Sequence, residues 1–157
     1  MKQGTQGKFE VFDASGYKIG IVVAQFNHEI TEQMLENCIG AMTHYEISKD
    51  RIFISRVAGS VEIPVILQKL AETKKFDCLV AIGAIIRGET PHFDYVAKIV
   101  AEGITRVMLD YGIPIGFAVL TTENHEQASS RVSVGGEAAI AAINSTKIIK
   151  DKQYEPV

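Results

Sequence analysis

The sequence has no tryptophan, only two cysteines and only four prolines among its 157 residues. Nor has it any surplus of positive charge. Sixteen Lys and Arg stand against nineteen Asp and Glu, giving a net charge of −3 and a pI near 5.8, and no basic block occurs. Non-specific nucleic-acid binding is thereby excluded as an expectation, because it needs clustered cations to displace counterions. Cys38 and Cys78 lie far apart in apolar segments and fit no CxxC or CxxH spacing. They read as buried thiols in a reducing compartment, not as a disulfide or a zinc pair. No apolar run approaches the ~20 residues that span a bilayer, and residues 1–7 are polar, Gly- and Gln-rich, without the apolar core of a signal peptide. The expectation is a soluble, cytoplasmic protein. Also missing are GxxxxGK[ST] and GxGxxG, which argues against a nucleoside triphosphate or dinucleotide. Without HExxH or a Cys/His ligand set there is no support for zinc, and without GxSxG none for a serine hydrolase.

What is present is an ordinary globular balance, 46% hydrophobic and 22% charged, in a chain long enough for one sizeable core. Continuous apolar runs of strand length cover 19–24, 78–86 and 115–120, and 52–57 is a further strand candidate. Such runs mark strands buried on both faces. Between them, apolar residues recur at helical spacing over 30–47 (Met34, Leu35, Cys38, Ile39, Met42, Tyr45), from Ile63 through Leu67 and Leu70, and over 92–111. Pro64 is tolerable there only in a first turn. Further helical stretches begin near Glu126 and cover 137–150. Strand and helix alternate four times at intervals suited to βαβ crossovers. This predicts an α/β, flavodoxin-like three-layer sandwich: a four-stranded parallel sheet with helices on both faces. No linker or low-complexity tract divides the chain. Residues 1–16 read as an N-terminal arm, its alternating residues 8–13 as a short added strand, 17–150 as one domain and 151–157 as a tail.

Residues that look unlike core collect where each strand ends: Gln25-Phe26-Asn27-His28, Ala58-Gly59-Ser60-Val61-Glu62, Gly88-Glu89-Thr90-Pro91-His92 and Thr121-Thr122-Glu123-Asn124. In open α/β sheets ligands bind beyond the carboxyl ends of strands. Taken singly, several of these fit structural roles. Gly59 suits a turn, Ser60 a helix cap, Phe26 an edge aromatic, and Asn27 and Asn124 helix starts. The third stretch is more informative. Thr90 suits an N-cap and Pro91 the first helical position, ahead of a helix that offers free amides at its positive end. A phosphate is welcome at such a place, and Gly88 lets backbone approach it. His92, in the first turn beside that anion, suits a proton shuttle, the usual catalytic use of an imidazole. His44 falls on the exposed side of its helix, while His28 and His125 lie near strand ends with nothing else to mark them.

These stretches, with Ile63-Pro64, Ile86-Arg87, Phe93-Asp94, Phe117 and the run Glu126-Gln127-Ala128 to Arg131, resemble the lumazine synthase family from about Tyr17 to Ile149. The resemblance implies a transferase that condenses 5-amino-6-ribitylamino-uracil with 3,4-dihydroxy-2-butanone 4-phosphate, losing phosphate and two waters, with no cofactor or metal. It implies that Phe26 stacks on the pyrimidine and that Asn27 hydrogen-bonds nearby. Gly59, Ser60 and Glu62 would hold the ribityl chain and ring edge, and backbone of Ile85 and Ile86 the pyrimidine edge. Gly88, Glu89 and Thr90 would bind the phosphate and His92 would move protons. Phe117 and Arg131 would reach in from a neighbouring subunit, so the resemblance implies a homo-oligomer, a pentamer or a shell of pentamers. Its partners are small molecules, with no nucleic acid and no membrane.

One departure stands out. After Arg131 the family usually continues through a longer loop with glycine and lysine, whereas this chain reads Val132-Ser133-Val134-Gly135-Gly136-Glu137. Arg131 is left as the evident cation beside Arg87, with Glu137 a lesser candidate. Two relatives of the reading stay open on sequence: an archaeal-type riboflavin synthase, and a non-catalytic lumazine- or flavin-binding protein on the same scaffold. A flavodoxin-like electron carrier fits least, because Gln25-Phe26-Asn27-His28 is not a Ser/Thr/Gly-rich phosphate loop.

Overall fold

A computed structural model of the chain describes residues 7–157. The first six residues of the predicted arm lie outside the described residues. Four strands form one parallel sheet: β1 (Ile19–Ala24), β2 (Ile52–Val57), β3 (Cys78–Ile86) and β4 (Ile115–Thr122), in the order β2-β1-β3-β4. Five helices connect or follow them: α1 (His28–His44), α2 (Ile63–Glu72), α3 (His92–Tyr111), the short α4 (His125–Ser129) and α5 (Val134–Asp151).

The two central strands, β1 and β3, are apolar throughout because they have no solvent face. Every residue of β1 is buried, and so is β3 up to its last residue. Period-two alternation then sorts their side chains into two cores. Ile19, Ile21 and Val23, with Cys78, Val80 and Ile82, pack beneath α1 and α5 around Met34, Cys38, Met42 and Ile143. Val22 and Ala24, with Leu79, Ala81 and Ile85, meet α2 and α3 around Leu67, Val100 and Ile104. Three layers result. Close approach of α5 to α1 depends on Gly135, where any Cβ would overlap the Met34 carbonyl.

Element ends differ modestly from the sequence reading. Strand β4 runs two residues further, to Thr122, because 121 and 122 continue the ladder with Ile85 and Ile86. Helix α1 begins at His28 and closes at His44, since Glu46 turns into the left-handed region at φ 63°. Helix α5 begins three residues early, at Val134.

Residues 8–13 form no strand in this chain. A strand exists only through a partner. Here Phe12 packs edge-on against Tyr17 and Tyr45 (ring centroids 6.1 and 5.0 Å), and the Ala14 N–H donates to the Tyr45 carbonyl at 2.9 Å. That clamp fixes the segment at the end of α1, not along a sheet edge. Among the described residues no helix is long and apolar enough to cross a membrane.

Candidate functional site

The strand order reverses between β1 and β3. From β1 the chain goes outward to β2 on one side, then returns to β3 on the other. Such a switch point leaves a crevice at the carboxyl ends of the two central strands. An open cleft of about 430 Å³ lies there, lined by Phe26 and by Gly59, Ser60, Val61, Glu62, Ala84, Ile85, Ile86, Gly88, Thr90, His92, Phe93 and Val96.

Each wall has a local cause. After β1, Phe26 is held by its N–H to the Ala58 carbonyl at 2.9 Å, yet its ring is 71% exposed. A large aromatic left in solvent at a cleft mouth is a ready stacking surface. Asn27 follows in the left-handed region (φ 59°, ψ 43°), a conformation asparagine tolerates. It occupies the cap position of α1 but makes no side-chain cap. Instead its Nδ2 donates to the Ala84 carbonyl at 2.9 Å, which ties the β1 exit to β3.

Between β2 and α2, residues Ser60–Glu62 form a single 3-10 turn. The Glu62 carboxylate folds back to accept from the Gly59 N–H at 3.0 Å, and the Glu62 N–H donates to the Gly59 carbonyl at 3.2 Å. A carboxylate has room for about four hydrogen bonds, so Glu62 keeps acceptor capacity at the cleft. Ser60 is buried, lines the cleft and caps nothing.

At the third corner the first residue of α3 is His92, and Pro91 (φ −65°, ψ 0°) takes the cap position expected for Thr90. Assigned helix ends shift by a residue in this way when the first turn is tight. The capping contact itself survives, since the His92 N–H donates to Thr90 Oγ1 at 3.4 Å. Helix α3 runs twenty residues, so its positive end and unpaired amides face the exposed Gly88-Glu89-Thr90 loop. A Cβ on Gly88 would meet nothing within 4 Å, which leaves that backbone open to a ligand.

Arg87 is committed to this corner. Its Nε donates to Glu123 Oε2 at 2.8 Å, its Nη2 to Asp94 Oδ1 at 3.3 Å, and its guanidinium lies over the Phe93 ring at 4.3 Å. Hydrogen bonding to Asp94, reinforced by the charges of Asp94 and Glu123, raises the Arg87 pKa above its ordinary value. The residue therefore joins the ends of β3 and β4 to the start of α3 instead of offering a free cation.

Of the residues the sequence singled out, Phe26, Gly59, Ser60, Glu62, Ile85, Ile86, Gly88, Thr90 and His92 line the cleft. Asn27, Glu89, Phe117 and Arg131 do not. Phe117 lies five residues before the end of β4, ~16 Å away along the strand at the usual rise. Its half-exposed ring opens beside Met108 and Ile149 instead. Arg131, half-buried, donates from Nη1 to the Gln127 carbonyl at 2.7 Å and to Ser130 Oγ at 3.1 Å. Among the described residues it has no carboxylate partner. Sequence reasoning missed Val61, Ala84, Phe93 and Val96. Val96 reads as helix core, and only the place of Phe93 and Val96 in the first two turns of α3 puts them at the cleft. It missed also that His125 is bracketed, Nε2 by Glu29 Oε1 at 3.1 Å and Nδ1 by Ser129 Oγ at 3.2 Å. That contact fastens α4 to the start of α1. Among the described residues no three His, Cys, Asp or Glu side chains gather to hold a metal ion.

An open parallel sheet whose switch point holds an apolar cleft with hydroxyl, carboxylate and imidazole at its rim defines a small-molecule-binding α/β protein. The sequence then narrows the class. Residues 16–150 match the family model for 6,7-dimethyl-8-ribityllumazine synthase. Proteins of that name from Paraburkholderia phytofirmans and Paraburkholderia xenovorans are each 44% identical to this chain over 137 residues, 87% of it and 82% of theirs. The chain belongs to the 6,7-dimethyl-8-ribityllumazine synthase family.

Proposed function

We propose that the protein is the transferase that forms 6,7-dimethyl-8-ribityllumazine from 5-amino-6-ribitylamino-uracil and 3,4-dihydroxy-2-butanone 4-phosphate, a step of riboflavin biosynthesis. The reaction takes place in the cleft at the switch point between β1 and β3. The observation that carries this reading is the composition of that one cleft: an exposed aromatic, an apolar floor, a hydroxyl–carboxylate pair and a histidine at the head of a long helix. Phe26 stacks on the flat pyrimidine, while backbone of Ile85 and Ile86 meets its edge. Asn27, fixed against Ala84, orients the β1 exit beside it. Ser60 and Glu62, presented by the turn after Gly59, take the ribityl hydroxyls. Gly88, Glu89 and Thr90 cradle the phosphate at the positive end of α3.

The pyrimidine amine attacks the ketone and water leaves to give an imine. His92 carries protons in that step and in the elimination of phosphate, and ring closure releases the second water. Alignment of two reactive partners supplies much of the acceleration, and no cofactor or metal enters the reading.

The phosphate calls for a guanidinium, and Arg87 is already engaged by Asp94 and Glu123. Arg131 is the cation that remains, and neither it nor Phe117 lines its own chain's cleft. The site is therefore completed by a second copy in a homo-oligomer, a pentamer or a shell of pentamers. Exposed Tyr95, Ile99 and Leu109 on α3 and Phe53 and Ile54 on β2 support a buried interface. Residues 17–150 make the domain, 1–16 an arm and 151–157 a tail, in the cytoplasm, with no nucleic-acid or membrane partner.

Mixing the two substrates with purified protein tests the reading. Lumazine absorbance should grow with one phosphate released per product. Binding of the pyrimidine without turnover would reduce the protein to a binder on this scaffold and overturn the proposal.

A further inference from the structure

Glycine inside a buried central strand is unusual, because it weakens the strand and packs nothing. Gly83 is such a residue, six positions into β3 and paired with Val119 of β4. Its backbone lies outside the left-handed region, so conformation does not demand glycine there. Space does. A Cβ at position 83 would overlap Ser60 Oγ outright, with Ser60 Cβ at 3.4 Å and Ile63 Cδ1 at 3.3 Å. Ser60 comes from the 3-10 turn after β2 and sits 8% exposed against that bare stretch of β3. It still lines the cleft, and among the described residues no hydrogen bond occupies its hydroxyl.

We propose that Gly83 is a positioning residue for the binding cleft: its missing side chain is the seat that lets the Ser60–Glu62 turn press onto β3 and hold the Ser60 hydroxyl ready for the polyol of the pyrimidine substrate. The substrate assignment rests on the function proposed above; the seat itself rests only on packing. Position 83 is thus part of the site without touching ligand. Its neighbours on the same face of β3, Ala81 and Ile85, carry side chains that pack in the core shared with α2 and α3, so the demand is local to the point where Ser60 lies.

A double-mutant cycle separates the seat from a general role in strand packing. Gly83→Ala should raise KM for the ribitylamino-pyrimidine about tenfold, the worth of one displaced hydroxyl contact. Its kcat and its KM for butanone phosphate should stay within about twofold, a split that a loss of strand stability alone would not produce. Ser60→Ala removes the overlapping oxygen. Adding Gly83→Ala to it should therefore cost nothing further, and the double variant should match Ser60→Ala in KM and in Tm. Should Gly83→Ala fail to fold, recovery of folding in the double variant supports the seat equally well. The proposal falls if Gly83→Ala leaves KM unchanged, or if it costs as much in the Ser60→Ala background as in the native one. Native protein without turnover would defeat the function reading alone, and the Tm cycle would still decide the seat.

Discussion

Two residues divide the chemistry of the proposed site. His92 stands exposed at the head of α3, within the cleft but not fixed by a carboxylate. Its replacement by alanine is expected to lower kcat roughly ten- to hundredfold, the lower part of the range for general acid–base groups. Turnover should remain above the uncatalysed rate, because the aligned substrates still react. Single-turnover measurement of imine formation and phosphate release checks this, and an unchanged kcat would remove His92 from the proton path. Arg131→Ala should instead raise KM for butanone phosphate, by about ten- to hundredfold for a lost charge-assisted hydrogen bond, with a smaller effect on kcat. Arg87 cannot take over, since Asp94 and Glu123 hold it at 3.3 and 2.8 Å. Residue types at this scale were legible in the sequence, but their partners were not. Arg87 and Glu123 are 36 residues apart, and Glu29 and His125 are 96 apart. No local pattern encodes such pairings. For the same reason Asn27, which capping preference alone would turn toward its own helix, turns out to serve β3.

The elements were the most legible level, and the reason is burial. Strands β1 and β3 begin and end where their apolar runs do, because sheet strands covered on both faces admit nothing else; the edge strand β2, with Ser55 and Arg56, keeps its expected bounds too. Helix α3 likewise spans His92–Tyr111, between a proline and a left-handed Gly112 at φ 59°. Turns were harder. The 3-10 turn at Ser60–Glu62 is set by one side-chain contact, Glu62 to the Gly59 N–H, and periodicity carries no sign of it. Alternation at residues 8–13 looked like a strand but found no partner in the chain. Burial also fixes the chemistry of the two cysteines, Cys38 in α1 and Cys78 in β3. Desolvation pushes both thiols up to about 12. The folded state therefore retains protons that the unfolded chain gives up as pH passes its ordinary thiol range near 8.5. Stability from this source is complete below that range and declines as pH rises toward 12. A thiol reagent at pH 8 should accordingly leave both cysteines unmodified in native protein and label both in denaturant. Labelling of native protein at the denatured rate would contradict the buried assignment.

At the scale of the whole molecule, the proposed function makes the single chain an incomplete enzyme. Its cleft has the aromatic, the hydroxyl and carboxylate pair, and the imidazole, while Phe117 and Arg131 face elsewhere. Meanwhile α3 and β2 carry apolar side chains into solvent: Tyr95 and Leu109 are 68% and 70% exposed. The proposed homo-oligomer accounts for both features: a neighbouring copy would cover the apolar faces and bring the second pair of residues to the cleft. Only Val132 and Ser133 separate Arg131 from α5, whose Gly135 lies against Met34. Arg131 is thereby held close to a rigid helix start. Complementation between two defective chains tests this account most directly. His92→Ala and Arg131→Ala variants, each assayed alone under conditions where Arg131→Ala is far from saturated, should be weakly active. Unfolded together and reassembled at equal amounts, they should regain about a quarter of native activity, because random mixing gives that share of sites an intact His92 and an intact Arg131 from different copies. A mixture no more active than the average of its two components would contradict the shared site.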